Sequence, residues 1–365
     1  MLMMWKIWDA VRETVQTELR YLLTFNTSNR HWFMPFCAAL ATGIPLFIGV
    51  YFDHLNYGLV SSLGGIVFLY TPATSLHHRM VTLMACAFGM SACYALGLMA
   101  HFLPMLLVPV LTVMVILVSM VCRYYRVAPP GSLFFIMAAA IGVYSPVEVL
   151  QVPLFVGLLT MGCLLAVLVA FGYSLYILSV QGPLTMAPLP PADFDFVVFD
   201  PIIIGLFVGL SLTLAHVFHL ERPYWVPVSC LAIIQGETLR AVWNRQVHRI
   251  LGTAVGILVT WGLFELPLGG WGISLMMTVL VFIIETLVVR HYGLAVVFIT
   301  PLTIFLADAA SLGQGSPDAV VLARLIDTVL GSVIGLLGGY CLHNLRFRAV
   351  AGRLIRGLIP SGLLP

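Results

Sequence analysis

Two residues of opposite charge lie three positions apart in an apolar run near the carboxyl end of the chain. Arg324 and Asp327 belong to the run at about 318–343, and in a helix they would share one face. Since a guanidinium matches a carboxylate through two hydrogen bonds, we expect Arg324 to hold an anionic ligand. Asp327 would then orient Arg324 or take a proton. The alternative is a structural ion pair that joins helices.

Glu285 is the other acid inside an apolar run. It precedes Arg290 by five residues, which places it roughly 7 Å from one end of its helix. A carboxyl group at that depth could be protonated and carry a proton. It could equally pair with Arg290 or with another arginine at the same end, so both interpretations stay open.

Three further residues are candidate ligand contacts. Arg249 begins a run in which Gly252 and Gly256 permit close helix packing. It either attracts an anion or marks the end of its run. Tyr224 and Trp225 either stack on an aromatic ligand or anchor the chain at the membrane interface, where such side chains are common.

Several functional classes have no motif in this chain. It contains no Ser-His-Asp order, P-loop, dinucleotide fingerprint or His-Glu-x-x-His pattern, so we predict neither an enzyme nor a cofactor. His216 and His219 have a spacing that suits a metal, but no third ligand is evident, so we predict no metal. The net charge of +2 gives no field for a nucleic-acid partner.

The elements that must position these residues are apolar. The chain is 61% hydrophobic and 9% charged, which is typical of a membrane protein. Its composition and runs predict an all-α membrane protein with about twelve transmembrane helices. The runs lie at about 32–51, 57–73, 80–101, 103–122, 131–146, 152–180, 200–218, 224–236, 250–266, 271–289, 293–309 and 318–343.

The positive charges predict the orientation. With the amino terminus in the cytoplasm, every lysine and arginine except Arg222 and Arg324 falls on the inner side. The chain is therefore expected to be a multi-pass membrane protein with both termini cytoplasmic.

Segments outside the runs complete the predicted organisation. Residues 5–23 have apolar positions at helical spacing, which predicts an interfacial amphipathic helix within a cytoplasmic segment, 1–30. The alternative is a solvated helix that packs on a partner domain. A Pro-rich cytoplasmic linker, 181–198, separates a first membrane unit, 31–180, from a second, 199–345. Residues 346–365 form a basic cytoplasmic tail.

The two membrane units share polar landmarks. The landmarks, in corresponding order, are His54-Leu55 with His219-Leu220, Tyr57 with Tyr224, and His78-Arg79 with His248-Arg249. Because each unit has an even number of predicted spans, the sequence predicts two parallel six-helix repeats, with a site at their interface.

The second unit also carries motifs of a known family. They are Tyr224-Trp225-Val226-Pro227, Arg249-Ile-Leu-Gly252-Thr253-Ala-Val-Gly256, Thr300-Pro301 and Arg324-Leu-Ile-Asp327-Thr328-Val-Leu-Gly331. The chain resembles the fusaric acid resistance family, also called the aromatic acid exporters. The resemblance implies a proton-driven inner-membrane exporter of small aromatic or amphipathic carboxylates. The expected partners of such an exporter are the anion, protons and the lipid bilayer. Further expected partners are other copies of the chain, in a homo-oligomer, or a periplasmic adaptor protein.

One departure weakens the substrate expectation. Typical members carry large cytoplasmic domains after their membrane bundles, whereas the linker and tail here are short. Two alternatives therefore remain beside the exporter: a passive anion channel, and a non-transporting membrane component of a larger efflux complex.

Overall fold

The described part of the chain is helical. The computed structural model describes residues 12, 24–28, 30–182, 193–308 and 317–357, and only the backbone of 307–308 and 317–320. No strand occurs among these residues. The helices are α1 (Phe33–Tyr51), α2 (Leu55–Gly65), α3 (Leu76–His101), α4 (Leu107–Tyr124), α5 (Leu133–Val143), α6 (Val152–Gln181), α7 (Asp200–Val217), α8 (Trp225–Ile234), α9 (Leu239–Phe264), α10 (Gly270–Leu287), α11 (Tyr292–Asp308), α12 (Pro317–His343) and α13 (Leu345–Gly357).

Eight of these helices are long and apolar enough to cross a membrane: α1, α3, α4, α6, α7, α9, α10 and α12, some with a flanking turn. Four more apolar helices, α2, α5, α8 and α11, are shorter. The all-helical, multi-pass membrane architecture is confirmed. Twelve crossings are not confirmed, because α2, α5 and α8 have only ten or eleven residues each and span about 15 Å of a hydrocarbon core about 30 Å thick.

The shortest helices lie inside the bundle. Every residue of α8, Trp225–Ile234, is buried, and so are most residues of α5. Their largely apolar sequences are therefore covered by neighbouring helices. A helix can stop at membrane depth where its end is enclosed by protein or lines a cavity.

Helix neighbours follow a common scheme in the two units. In the first, α1 packs on α2 and α6, α2 on α6, and α3 on α5 and α6. In the second, α7 packs on α8 and α12, α8 on α12, and α9 on α11 and α12. The two units meet where α1 contacts α10, where α4 contacts α7 and where α5 contacts α8.

Small residues permit two of the closest contacts. A Cβ at Gly162 of α6 would collide with the backbone oxygen of Ser61 in α2. A Cβ at Gly331 of α12 would collide with the backbone oxygen of Val226 in α8. The short helix α2 is thus held directly against α6, and the short helix α8 against α12, the last long helix of each unit.

The predicted flanking segments are only partly described. The amphipathic helix at 5–23 lies outside the described residues except for residue 12, as do linker residues 183–192 and tail residues 358–365. Residues 195–199 form one π-helical turn before α7. The first part of the basic tail is α13, whose Phe347, Ala351 and Ile355 pack against the core.

Candidate functional site

A large cavity lies between the two units. Its volume is about 1690 Å³, and its wall includes residues from both halves of the chain. Five of the six residues singled out in the sequence lie on this wall: Tyr224, Trp225, Arg249, Glu285 and Arg324. The sixth, Asp327, does not. The fold thus brings together residues that are far apart in the sequence.

Arg324 is buried in the wall of the cavity. Its residue is 4% exposed, and its guanidinium carbon lies 3.9 Å from the centre of the Trp225 ring. Such a cation–π contact fixes the plane of the guanidinium. Among the described residues, Nε and Nη1 of Arg324 have no hydrogen-bond partner. Because buried donors are normally paired, these groups indicate a place for a water or a ligand.

Asp327 is fully buried behind Arg324. Neither of its carboxylate oxygens accepts a hydrogen bond from a described residue, and the described part of the chain holds no ion pair between Asp327 and Arg324. The side chain of Arg324 instead lies over Trp225 of α8. The two residues therefore share a helix without the direct contact that a structural ion pair requires.

Arg249 is also buried and is 6% exposed. Its Nη1 donates a hydrogen bond to the Tyr292 hydroxyl at 3.2 Å, and its Nη2 donates to Ser229 Oγ at 3.1 Å. Both partners are neutral, so the positive charge of Arg249 keeps no counter-charge from these contacts. Ser229 and Trp225 are one turn apart on α8, so Arg249 and Arg324 contact adjacent turns of the same face of that helix.

Glu285 forms an ion pair at the cavity wall. Its Oε2 accepts a hydrogen bond from Arg30 Nη1 at 3.1 Å, and the same nitrogen donates to the Glu285 backbone oxygen at 3.3 Å. The partner is thus an arginine that precedes α1, rather than Arg290, which lies nearest in sequence. Proton transfer by Glu285 would require this pair to open.

Tyr224 lies in an aromatic group at the other end of the cavity. Its ring centre is 5.0 Å from that of Trp225 and 5.7 Å from that of Tyr144. The Tyr144 hydroxyl is 2.9 Å from Nε2 of His216, whose Nδ1 is 2.9 Å from the Leu212 backbone oxygen. Sequence reasoning missed Tyr144, since a single tyrosine at the end of an apolar run carries no distinctive signal.

A second charged cluster was also missed. Asp200 accepts hydrogen bonds at 2.7 Å from Arg123 of α4 and from Arg348 of α13. Asp195 accepts from Arg356 at 2.7 Å and from Arg348 at 3.4 Å. Burial tends to lower the pKa of Arg348, but hydrogen bonds to these carboxylates outweigh it and raise that pKa above its ordinary value. We call the part of the bundle that holds Arg30, Arg123 and Arg348 the arginine-rich end.

The described residues contain no group of three or more His, Cys, Asp or Glu side chains that could hold a metal. All seven cysteines are described, and each is a free thiol. His216 takes part in the hydrogen bond to Tyr144, as described above.

The comparisons with known proteins concern parts of the chain. Over 158 residues, 40% of this chain, it is 34% identical to the uncharacterized membrane protein YvaC of Bacillus subtilis (strain 168). It is 26% identical over 162 residues, 41% of this chain, to an uncharacterized protein of Synechocystis sp.. The matched segments span 25% and 20% of these relatives. No solved structure matches.

The family comparison falls on the second unit. Residues 210–338, which contain Tyr224, Arg249 and Arg324, match the family described as fusaric acid resistance protein-like. The chain is accordingly a membrane protein with many apolar helices and a segment consistent with a transporter. The resemblance predicted from the motifs is therefore confirmed, and over residues 210–338 the chain matches the fusaric acid resistance protein-like family.

Proposed function

We propose that this protein exports small organic anions, aromatic carboxylic acids or related toxic compounds, across a bacterial inner membrane, driven by the proton gradient. One observation carries the proposal: the cavity between the two units presents two buried guanidinium groups, those of Arg249 and Arg324. A cavity of about 1690 Å³ has room for a small organic molecule together with water.

The proposed architecture is a pair of parallel six-helix repeats around this cavity. Two features support it. Corresponding helices of α1–α6 and α7–α12 pack on corresponding neighbours, and the second and fifth helices of each unit are the shorter ones. The distribution of arginine supports cytoplasmic termini, with the arginine-rich end facing the cytoplasm.

The residues divide between two proposed roles. Arg249 and Arg324 hold the anion, while Tyr224 and Trp225 shape the site beside them. Asp327 and Glu285 are the proposed proton carriers, because they are the buried acids nearest to the anion site and to the arginine-rich end. Homo-oligomers or a periplasmic adaptor protein are possible partners in export.

A passive anion channel is the second candidate. The wall of the cavity includes Arg30 and Arg348 at the arginine-rich end, and Tyr57 and Gln151 at the opposite end. A cavity that is lined by residues from both ends of the bundle favours continuous permeation of an anion. Accumulation against a gradient, rather than conduction, separates the exporter from this candidate.

The test is uptake of radiolabelled benzoate and related aromatic acids into inverted membrane vesicles, with and without an imposed pH gradient. We expect accumulation that depends on the pH gradient. Flux that ignores the pH gradient and follows the membrane potential would support the channel. Absence of flux for the whole panel would contradict both transport proposals and favour a non-transporting component of an efflux complex.

A further inference from the structure

Two buried arginines of the cavity wall, Arg249 of α9 and Arg324 of α12, contact adjacent turns of α8. Arg324 covers the Trp225 ring, and Arg249 donates to Ser229 Oγ. Trp225 and Ser229 are four residues apart, so these two attachment points are about 6 Å apart along the helix axis. The wall therefore presents two guanidinium groups at a spacing that one small molecule can bridge.

Among the described residues, no carboxylate is in direct contact with either guanidinium. Within the described part of the chain, the ion pairs that have been identified involve Arg30, Arg123, Arg348 and Arg356 instead. Arg249 donates to two neutral hydroxyl groups and Arg324 lies over an aromatic ring, while Nε of Arg249 and Nε and Nη1 of Arg324 have no hydrogen-bond partner among the described residues. Two like charges at low exposure destabilise the empty site, because each has lost most of its hydration.

A ligand with one acidic group would neutralise one of these guanidiniums and leave the other without a carboxylate. A ligand with two acidic groups would provide each with a charge-assisted hydrogen bond. The N–H donors of a guanidinium lie in its own plane, in the geometry that carboxylates prefer, and two nitrogens of Arg324, Nε and Nη1, have no hydrogen-bond partner among the described residues.

We propose that the site is built for a compact dianion, with one acidic group bound by Arg249 and the other by Arg324. This inference rests on the proposed transport function and specifies its substrate class. Loss of either arginine converts the site from one for two acidic groups into one for a single acidic group.

The experiment is calorimetric titration of the full chain, reconstituted in lipid nanodiscs, with benzoate and with isophthalate, which differ by one carboxylate. We expect isophthalate to bind at least about tenfold more tightly, the gain from one additional charge-assisted contact. Arg249→Gln and Arg324→Gln should each reduce this ratio to near one. Arg249→Lys and Arg324→Lys keep the charge and should retain part of the preference.

The matched control is Arg79→Gln. Arg79 is a buried arginine in the first unit that donates to the Thr74 backbone oxygen and to Ser174 Oγ, and it does not line the cavity. This variant should keep the wild-type ratio. Equal binding of both acids by the wild type, or a preference that survives in both glutamine variants, would overturn the inference but leave the proposed export intact. No binding of either acid would overturn both.

Discussion

At the scale of single residues, hydrogen-bond partners distinguish a buried arginine that holds the fold from one that faces the cavity. Arg79 is buried and hydrogen-bonded within its own unit, whereas Arg324 is buried on the cavity wall with two unpartnered nitrogens among the described residues. Both residues are arginines, and their exposed fractions are the same. Only the surroundings of each guanidinium indicate which one is available to a ligand.

Arg324→Gln should reduce anion uptake by at least about tenfold while the protein remains folded in the membrane. The reason is that glutamine removes the charge but keeps a polar group near Trp225. Uptake per folded molecule is measured in vesicles after quantification of the reconstituted protein. Arg79→Gln serves as the control and should retain uptake. Misfolding of Arg324→Gln that is rescued by a second change, Asp327→Asn, would indicate a structural role for the two charges.

Glu285→Gln should separate proton coupling from anion flux. Glutamine cannot bind or release a proton, so the variant should lose accumulation driven by the pH gradient and retain downhill flux. The comparison is uptake in the same vesicles with and without the gradient. If Glu285→Gln still accumulates the anion, Glu285 is only the counter-charge of Arg30.

At the scale of elements, the short helix α8 determines the geometry of the site. It carries Trp225, which contacts Arg324, and Ser229, which contacts Arg249. It is held against α12 at Gly331. An entirely buried helix of ten residues has little freedom to shift, since every face is packed. The precision of the anion site therefore depends on the contact between α8 and α12.

Gly331→Leu should displace α8 from α12 and lower stability by about 1–3 kcal/mol, with a loss of anion binding. The physical cause is the collision of a side chain with the Val226 backbone oxygen. Gly157→Leu is the matched control, because a Cβ at Gly157 has nothing within 4 Å. Two measurements check both variants: the midpoint of thermal unfolding in detergent, and the binding of benzoate. Equal effects of the two substitutions would contradict the role of the α8–α12 contact.

At the scale of the whole molecule, ion pairs connect the two units at the arginine-rich end. Arg30 and Glu285 join the segment before α1 to α10, while Arg123 and Asp200 join α4 to α7. Arg348 adds α13 to the second pair. One of these contacts lies beside the α1–α10 contact and the other at the α4–α7 contact, and their residues line the same end of the cavity.

Asp200→Asn should lower stability by about 2 kcal/mol, because Arg123 and Arg348 both lose a charged acceptor. The expected result is a lower midpoint of thermal unfolding for the full chain in detergent. Asp53→Asn is the control, since Asp53 is exposed and the substitution preserves its shape. An unchanged midpoint for Asp200→Asn would show that the cluster adds no net stability.

The sequence by itself determined the class of the protein and its candidate residues. A low charged fraction and long apolar runs require helices in a membrane, because unpaired backbone groups are too costly in lipid. The motifs around Arg249 and Arg324 were sufficient to predict the family resemblance. The same reasoning treated every apolar run as a crossing, since composition does not distinguish cover by lipid from cover by protein.

Only the tertiary structure decided how the charges are paired and which helices lie inside. Arg30 and Glu285 are separated by 255 residues, and Arg348 and Asp200 by 148, so no local spacing could reveal these pairs. Arg324 and Asp327 have an ideal spacing and yet do not form an ion pair, because Arg324 lies over Trp225 from another helix. Helical spacing fixes which side chains share a face, but the neighbouring helices determine which of them meet.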